Sequence, residues 1–319
     1  MEDFIFLPNV DSYGYDYGYC RAPVEYLKQM VLENRLLVGF NTLGYIKFAI
    51  DTIKQIDYGQ ESGGLYIHKK RYDEFKKSII DVDPSVFTVY EYDGMKKQRL
   101  GEDYDGGYVI VRDDKINYDL IIGCGIETKC LFEKELSIIY PDVPVFCFDG
   151  TIDTMPKNNI KNLTFFKKNI SSENTETTTN LSEEMKNYNN IFLKIDIEGH
   201  EWEFFKDMKE NDLDKFSQIV IELHSVIYNH YVPTSEKMKI MEKILEHFVI
   251  VHAHANNNEY SYPIKDSFIP NALELTLVNK KHISNPIKKN TRVLPSSLDM
   301  PGQTHKPDIN LNFYPFVNN

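Results

Sequence analysis

Three stretches of the sequence set polar groups directly after apolar, strand-like runs. They are Phe192-Leu-Lys-Ile-Asp-Ile-Glu-Gly-His-Glu201, Ile219-Val-Ile-Glu-Leu-His224 and Val251-His-Ala-His-Ala-Asn256. In a parallel sheet the carboxyl ends of the strands open on one crevice, so Asp196, Glu198, Glu222 and His224 are expected to face a common ligand. Carboxylate and imidazole groups so placed can take a proton from a hydroxyl as it attacks. Asp196, Glu222 and His224 could instead gather a divalent ion, magnesium or manganese by the oxygen-rich donor set, that lowers the hydroxyl's pKa. Glu198 has a second use, because an acid just before a helix is favoured by the helix dipole. In the last run His254 or Asn256 reaches the cleft, whereas His252, inside the strand, reads as a core histidine.

The elements that must carry these groups begin near residue 115. Candidate strands are Asp119–Ile122, Val145–Phe148, Leu163–Phe166, Ile191–Ile195, Gln218–Glu222, Phe248–His252 and Leu273–Val278, several of them near-continuous runs of Ile, Val, Leu and Phe. Runs of that kind suit strands covered on both faces. Helical segments alternate with them at Glu127–Tyr140, His200–Lys209 and Ser235–His247. The alternation predicts an α/β fold with a doubly wound, mostly parallel sheet. The Asn- and Thr-rich stretch Ser171–Asn190 is expected to be a surface excursion with one short helix, and the proline-rich tail from Lys280 a segment draped over the domain.

A nucleotide site is suggested at Tyr118-Asp-Leu-Ile-Ile-Gly-Cys-Gly-Ile-Glu127, where a strand runs through Gly123-Cys124-Gly125 into a turn. The next strand, Val145-Phe-Cys-Phe-Asp149, ends in an acid 24 positions after Gly125, where doubly wound sheets hold a ribose diol. A dinucleotide site wants a third glycine beside the pyrophosphate, but that position is Thr128, and Glu127 puts a carboxylate where the phosphates would rest. S-adenosylmethionine has no phosphate and carries a cationic methionine arm, so an acid-lined turn favours it over NAD. An NAD-linked sugar enzyme would also need a Tyr-x-x-x-Lys pair, and neither Tyr188 nor Tyr228 has a lysine four residues on.

Composition narrows the partners. The formal charge of -12, with no long basic stripe, argues against a nucleic-acid track. The first residues, Met-Glu-Asp-Phe, lack the cations of a signal peptide, and no stretch has the length of a membrane span, so a cytoplasmic location is expected. Cys20, Cys124, Cys130 and Cys147 have no metal or disulfide spacing.

Taken together, Gly123-Cys-Gly125, the strand end at Asp149, Lys194-Ile-Asp-Ile-Glu-Gly-His-Glu201, Ile221-Glu-Leu-His224, His254-Ala-Asn256 and Leu273-Glu-Leu-Thr-Leu277 resemble the FkbM-like methyltransferases. Arg99-Leu-Gly, Asp105-Gly-Gly-Tyr-Val109, Leu298-Asp-Met-Pro301 and Lys306-Pro-Asp-Ile309 extend the resemblance over about residues 90–319. It implies a seven-stranded class I, Rossmann-like methyltransferase sheet and S-adenosylmethionine-dependent O-methylation of a sugar, nucleotide-sugar or glycan. Carried onto this chain, it implies Gly123, Cys124 and Gly125 at the methionine portion and Asp149, Gly150 and Thr151 at the ribose. Asn169 and Ile170 would lie near the adenine, Gly107 and Tyr108 would fold over the cofactor, and Asp196 and Glu198 would face the methyl and the acceptor. Asp196 or His224 would then be the base, with Glu198 and Glu222 orienting the acceptor. A non-catalytic carbohydrate- or protein-binding role on the same scaffold is the other class that the residues allow.

Residues 1–88 form a separate small α+β module, ahead of a methyltransferase domain at 89–319. The module is rich in Tyr, Gly and Asp, notably Ser12-Tyr-Gly-Tyr-Asp-Tyr-Gly-Tyr19, with a helix at Val24–Glu33, strands at Leu36–Phe40 and Leu65–Ile67, and a segment Tyr45–Ile56 between them. Phe6-Leu-Pro-Asn-Val-Asp-Ser-Tyr-Gly, Val38–Lys47 and Gly64–Ile67 are similar to PAN/apple-like modules, which implies a carbohydrate or protein ligand; a plain cap or dimerisation arm is the alternative.

Overall fold

Seven strands of the computed structural model form one sheet. They are β1 (Leu120–Cys124), β2 (Val145–Phe148), β3 (Leu163–Phe166), β4 (Ile191–Ile195), β5 (Phe216–Leu223), β6 (Phe248–Ala255) and β7 (Leu273–Asn279). Their spatial order is β3-β2-β1-β4-β5-β7-β6, parallel except for β7, which runs antiparallel to both neighbours. The order reverses on either side of β1, between β2 and β4, and ligands bind at such a switch point in doubly wound sheets. The structure describes residues 3–12, 16–35, 37–47, 50, 53–55, 58, 63–80, 82–227, 232–259, 261–264, 267–284 and 286–318. Tyr228, residues 13–15 of the tyrosine-rich run, and Leu36 lie outside them.

Burial on both faces explains the largely apolar strands. One face carries Ile121, Val145, Cys147, Phe192, Val220, Val249 and Val278 against Phe132 and Leu136 of α1 (Leu131–Ile139) and against the hairpin of Lys96–Gly101 and Gly107–Arg112. The other carries Ile219, Ile221, Leu223, Leu275 and Leu277, which with Phe205 of α2 (Glu201–Asp207) and Met241 and Ile244 of α3 (Thr234–His247) enclose an apolar gap of about 10 Å³. Gln218, fully buried, bonds both ways to the Val111 backbone and so ties β5 to the hairpin.

Two segments depart from expectation. The chain after Gly125 turns before it coils: Glu127 is left-handed at φ 50°, and the helix expected from Glu127 begins at Leu131. The stretch 171–190 holds turns where a short helix was expected, because Asn174, Thr175, Asn180 and Ser182 bond one another and nearby backbone instead of leaving it to a helix. Thr178–Thr179 pairs with Asn169–Ile170 there.

The tail is tied to the sheet by two buried histidines. His252 donates to Asp299 at 2.7 Å, and His254 bridges Glu274 at 3.0 Å and Asp308 at 3.1 Å. Both histidines are thereby committed to structure, including His254, one of the two residues expected to reach the cleft.

The chain divides into two compact units: Met1–Val82 with Ile227–Ser235 and Pro263–Asp266, and Asp83–Val226 with Glu236–Tyr262 and Ser267–Asn319. In the first, the helix Val24–Glu33 buries Leu27 and Val31 against Phe40 and Ile46 of a five-stranded antiparallel sheet. Its strands include Gly39–Asn41, Tyr45–Lys47 and Gly64–His68. Cys20 in this unit is a free thiol.

Burial pushes His254 down, but Glu274 and Asp308 outweigh it and raise its pKa to about 10. A folded pKa above the unfolded value gives stability that is complete below about pH 6.5 and lost as pH climbs through 10. The melting temperature should therefore fall between pH 6.5 and 10, and His254→Gln should flatten that fall. An unchanged slope in the variant would contradict the ion-pair account.

Candidate active site

Two cavities open at the carboxyl ends of β1, β2, β4 and β5. The larger, about 540 Å³, is lined by Phe148, Asp149, Thr151, Asn169, Ile170 and Ile197 among others. The second, about 260 Å³, is lined by Glu133, Lys194, Glu222, His224, Asn256 and Asn258 among others. Gly125, Glu127, Asp196 and Glu198 line both, so the cavities meet at the switch point.

Close approach of two turns fixes that meeting place. A Cβ on Gly125, whose φ is 77°, would sit 1.7 Å from the Asp196 carbonyl oxygen. Any side chain would force β1 and β4 apart. Gly123 has a different reason: a Cβ there would lie 2.8 Å from Glu133 Oε1, the acid that reaches over the strand from α1. Glycine at these two positions is thus explained by packing against the protein itself. Left-handed backbone recurs nearby at Glu127, Glu198 and Ser225, each two or three residues past its strand. Non-glycine residues held there store strain, and such strain clusters at functional sites.

Asp149 stands at the end of β2 and is 7 % exposed. Its Oδ2 accepts the N–H groups of Ile126 (3.0 Å) and Glu127 (2.8 Å), and its Oδ1 accepts the Thr151 N–H (2.8 Å) and hydroxyl (2.6 Å). Burial raises its pKa, but these four donors outweigh burial and hold it below the usual range. The turn amides that would cradle a pyrophosphate are therefore occupied by a carboxylate of the chain. Of the four donors the Thr151 hydroxyl, which can rotate away, is the one that a ribose hydroxyl could replace.

Asp196 follows β4. Its Oδ2 accepts the Tyr108 hydroxyl at 2.7 Å and lies 3.7 Å from the Lys194 ammonium, which also donates to the Gly125 carbonyl at 2.7 Å. Its Oδ1 accepts no hydrogen bond from the described residues, which leaves that oxygen able to receive a proton. Tyr108 also lies 3.1 Å from Glu222 Oε2. One phenol has one proton, so it cannot serve both carboxylates as donor. Burial first, then Asp196 and Glu274, push Glu222 up to about 8. A proton held on Glu222 would let it donate to Tyr108, and Tyr108 donate onward to Asp196. Asn256 Nδ2 completes the chain with a 2.8 Å bond to Glu222 Oε1.

His224 lies past β5, its carbonyl anchored by the indole N–H of buried Trp202 at 2.6 Å. Its Nδ1 meets Glu201 Oε1 at 3.2 Å, and its Nε2 is 3.6 Å from Glu198 and 3.7 Å from Glu222. Burial alone would lower its pKa. The hydrogen bond and charge of Glu201, with Glu222 and Asp196, raise it to about 10. That shift favours the imidazolium and makes His224 the less suited of the two bases expected from the sequence.

Glu201 is the residue that sequence reasoning passed over. Fully buried, it accepts the N–H groups of Ile197 (2.9 Å) and Gly199 (3.2 Å) as well as His224. The start of α2 carries no side-chain cap; Glu201 instead bonds the turn amides ahead of the helix, and Glu198 extends into solvent. The three groups that could hold a metal ion with ligand atoms within 4.8 Å are Asp196, Glu201 and His224. Glu222, expected in that set, has both oxygens engaged by Tyr108 and Asn256. Of the other sequence candidates, Asn169, Ile170 and Thr151 line the larger cavity. Gly150 packs against Asn169, Cys124 is a buried thiol, and Gly107 packs on Arg99 and Glu102. Tyr108, expected over a cofactor, lies instead beneath Asp196.

Comparison with known proteins finds a family likeness over this site. Residues 122–260 match the Methyltransferase FkbM domain. The matched region runs from within β1 to just beyond β6 and includes Asp149, Asp196, Glu201, Glu222 and His224. A protein of Acanthamoeba polyphaga mimivirus named as a glycosyltransferase is 39% identical over 85 residues, 25% of this chain and 26% of the relative. A second protein of that virus, named as a fucosyltransferase, is 34% identical over 81 residues, 24% of this chain and 13% of the relative. The chain therefore matches about a quarter or less of the length of these relatives. A solved fibrillarin pre-rRNA processing protein of Methanococcus jannaschii is 12% identical, with a TM-score of 0.31 over 71% of this chain and 82% of that one. No helix of the described residues is long and apolar enough to cross a membrane.

Glu201→Gln should lower the His224 titration from about 10 toward the ordinary imidazole value, as read by NMR of the ring protons. A titration left near 10 would show that Glu201 is not what charges the ring.

Proposed function

We propose that this chain is an S-adenosylmethionine-dependent O-methyltransferase acting on a hydroxyl of a sugar, nucleotide-sugar or glycan. The observation that carries the reading is the wall of Gly125, Glu127, Asp196 and Glu198 common to both cavities. A nucleotide in one cavity and an acceptor in the other would meet there. The glycosyltransferase and fucosyltransferase names of the viral relatives favour a sugar setting.

The residues fit this cofactor. Phe148, Ile170 and Ile197 give the larger cavity apolar surface for a base, Asp149 stands where a diol would lie, and Asn169 offers an amide. Glu102, Asp105, Glu127 and Glu133 line the adjoining cavity and suit a cationic amino-acid arm. When bound, S-adenosylmethionine supplies an electrophilic methyl carbon on a sulfonium. The chain's own part is to orient and deprotonate. Holding an acceptor oxygen in line removes most of the barrier to displacement. Asp196 takes the proton that the hydroxyl sheds as its oxygen bonds to carbon. The Tyr108 bond and the Lys194 charge hold that carboxylate in place. The His224 imidazolium and Asn256 orient the acceptor.

Where Asp196, Glu201 and His224 could hold a divalent ion, the chain already places positive charge, on His224 and Lys194. Turnover should accordingly persist in excess EDTA; loss restored by magnesium or manganese would assign the ion to the site instead.

Calorimetry with S-adenosylhomocysteine should give saturable binding, weakened about tenfold or more by Asp149→Ala, a loss of about 1.4 kcal/mol. Asp196→Asn should abolish methyl transfer while keeping that affinity within a few-fold. Normal turnover in this variant would remove Asp196 from the chemistry, and no binding by the native chain would favour a non-catalytic role.

A further inference from the structure

Resting on that reading, we infer that the acceptor is a phosphate-free glycoside, a sugar already in glycosidic linkage, and not a nucleotide-diphosphate sugar. Three features of the acceptor end carry this.

First, four of the turn amides at the sheet edge that could hold a phosphate are already taken. Those of Ile126 and Glu127 go to Asp149, and those of Ile197 and Gly199 go to Glu201. Amides at a helix start or in a tight turn are the usual protein cradle for phosphate. Here two carboxylates of the chain, each more than nine-tenths buried, would have to be expelled first.

Second, two of the three cations are spent. The described residues lining the 260 Å³ cavity include no arginine, and its basic groups are Lys129, Lys194 and His224. Lys194 is held by the Gly125 and Cys124 carbonyls and Asp196. His224 is enclosed by Glu198, Glu201 and Glu222. Lys129 alone is solvent-exposed and uncommitted to a buried partner, and it sits beside the acids of the β1 turn.

Third, what remains is suited to hydroxyl groups. Glu198, Glu259 and Asn258 line the acceptor end, carboxylates that accept hydrogen bonds from hydroxyls and an amide that both donates and accepts. A diphosphate brought against them meets like charge in a partly desolvated cleft, an arrangement that discriminates by repulsion. The acceptor must then be supplied by a glycosyl-transfer reaction that has already released the nucleoside diphosphate. The product carries a methyl ether at a hydroxyl that can no longer be glycosylated.

The test uses the intact chain, radiolabelled S-adenosylmethionine and EDTA to remove bridging metal ions. A panel of sugars is offered, each both as a nucleotide-diphosphate sugar and as its alkyl glycoside or short oligosaccharide. Glycosides should be methylated with kcat/KM at least about tenfold above their nucleotide counterparts. Glu259→Lys, which reverses an exposed charge at the cavity, should narrow that ratio; an unchanged ratio would remove the electrostatic ground. Equal or better methylation of the nucleotide sugars would overturn the inference and leave sugar methylation standing. Methylation of neither set, with S-adenosylhomocysteine still bound, would overturn both.

Discussion

The turns that follow β1 and β4 approach so closely that nothing larger than hydrogen fits at residue 125. That contact, a would-be Cβ 1.7 Å from the Asp196 carbonyl, sets where the two halves of the parallel sheet meet. It brings the acid after β4 to the edge of the glycine turn after β1. The two cavities share their wall because the two turns share their backbone contact. Lys194 reinforces the join, its ammonium bonding to carbonyls of β1 and lying beside the carboxylate of its own strand end.

Around this join the chain satisfies its exposed amides with its own acids. Asp149 closes the β1 turn and Glu201 closes the turn ahead of α2, and each also positions a functional neighbour, Thr151 in one case and His224 in the other. Burying a carboxylate is costly unless hydrogen bonds meet it. Both oxygens of Asp149 are so met within the fold, whereas the bonds to Glu201 gather on Oε1 and its buried Oε2 has no partner among the described residues. The resulting edge is acidic and holds its positive charges in place, a surface made for cations and hydroxyls.

Much of this was legible in the sequence, for physical reasons. Largely apolar runs identified the strands of the sheet, with β2, β3 and β4 matching to the residue, because burial of a strand favours apolar side chains and admits a polar one such as Gln218 only where partners meet it. Asp149 and Asp196 were visible because an acid directly after such a run must lie at the sheet edge. Tyr108 was visible as a site residue but not in its place, since only the packing of the hairpin sends its hydroxyl beneath Asp196. Glu201 was hidden because its two amide bonds depend on the left-handed turn at Glu198 and Gly199. The acid five positions after Asp196 was the signal that could have revealed it. His254 looked like a cleft residue until the tail supplied Asp308, a partner 54 positions away.

The account turns on a nucleotide lying across that join with its reactive carbon toward Asp196. A crystal structure with S-adenosylhomocysteine tests this directly. The ribose should lie against Asp149 and Thr151 in the larger cavity, and the thioether should point to the Asp196 Oδ1 side of the shared wall. A ligand seated elsewhere, or a thioether turned away from Asp196, would contradict the central claim.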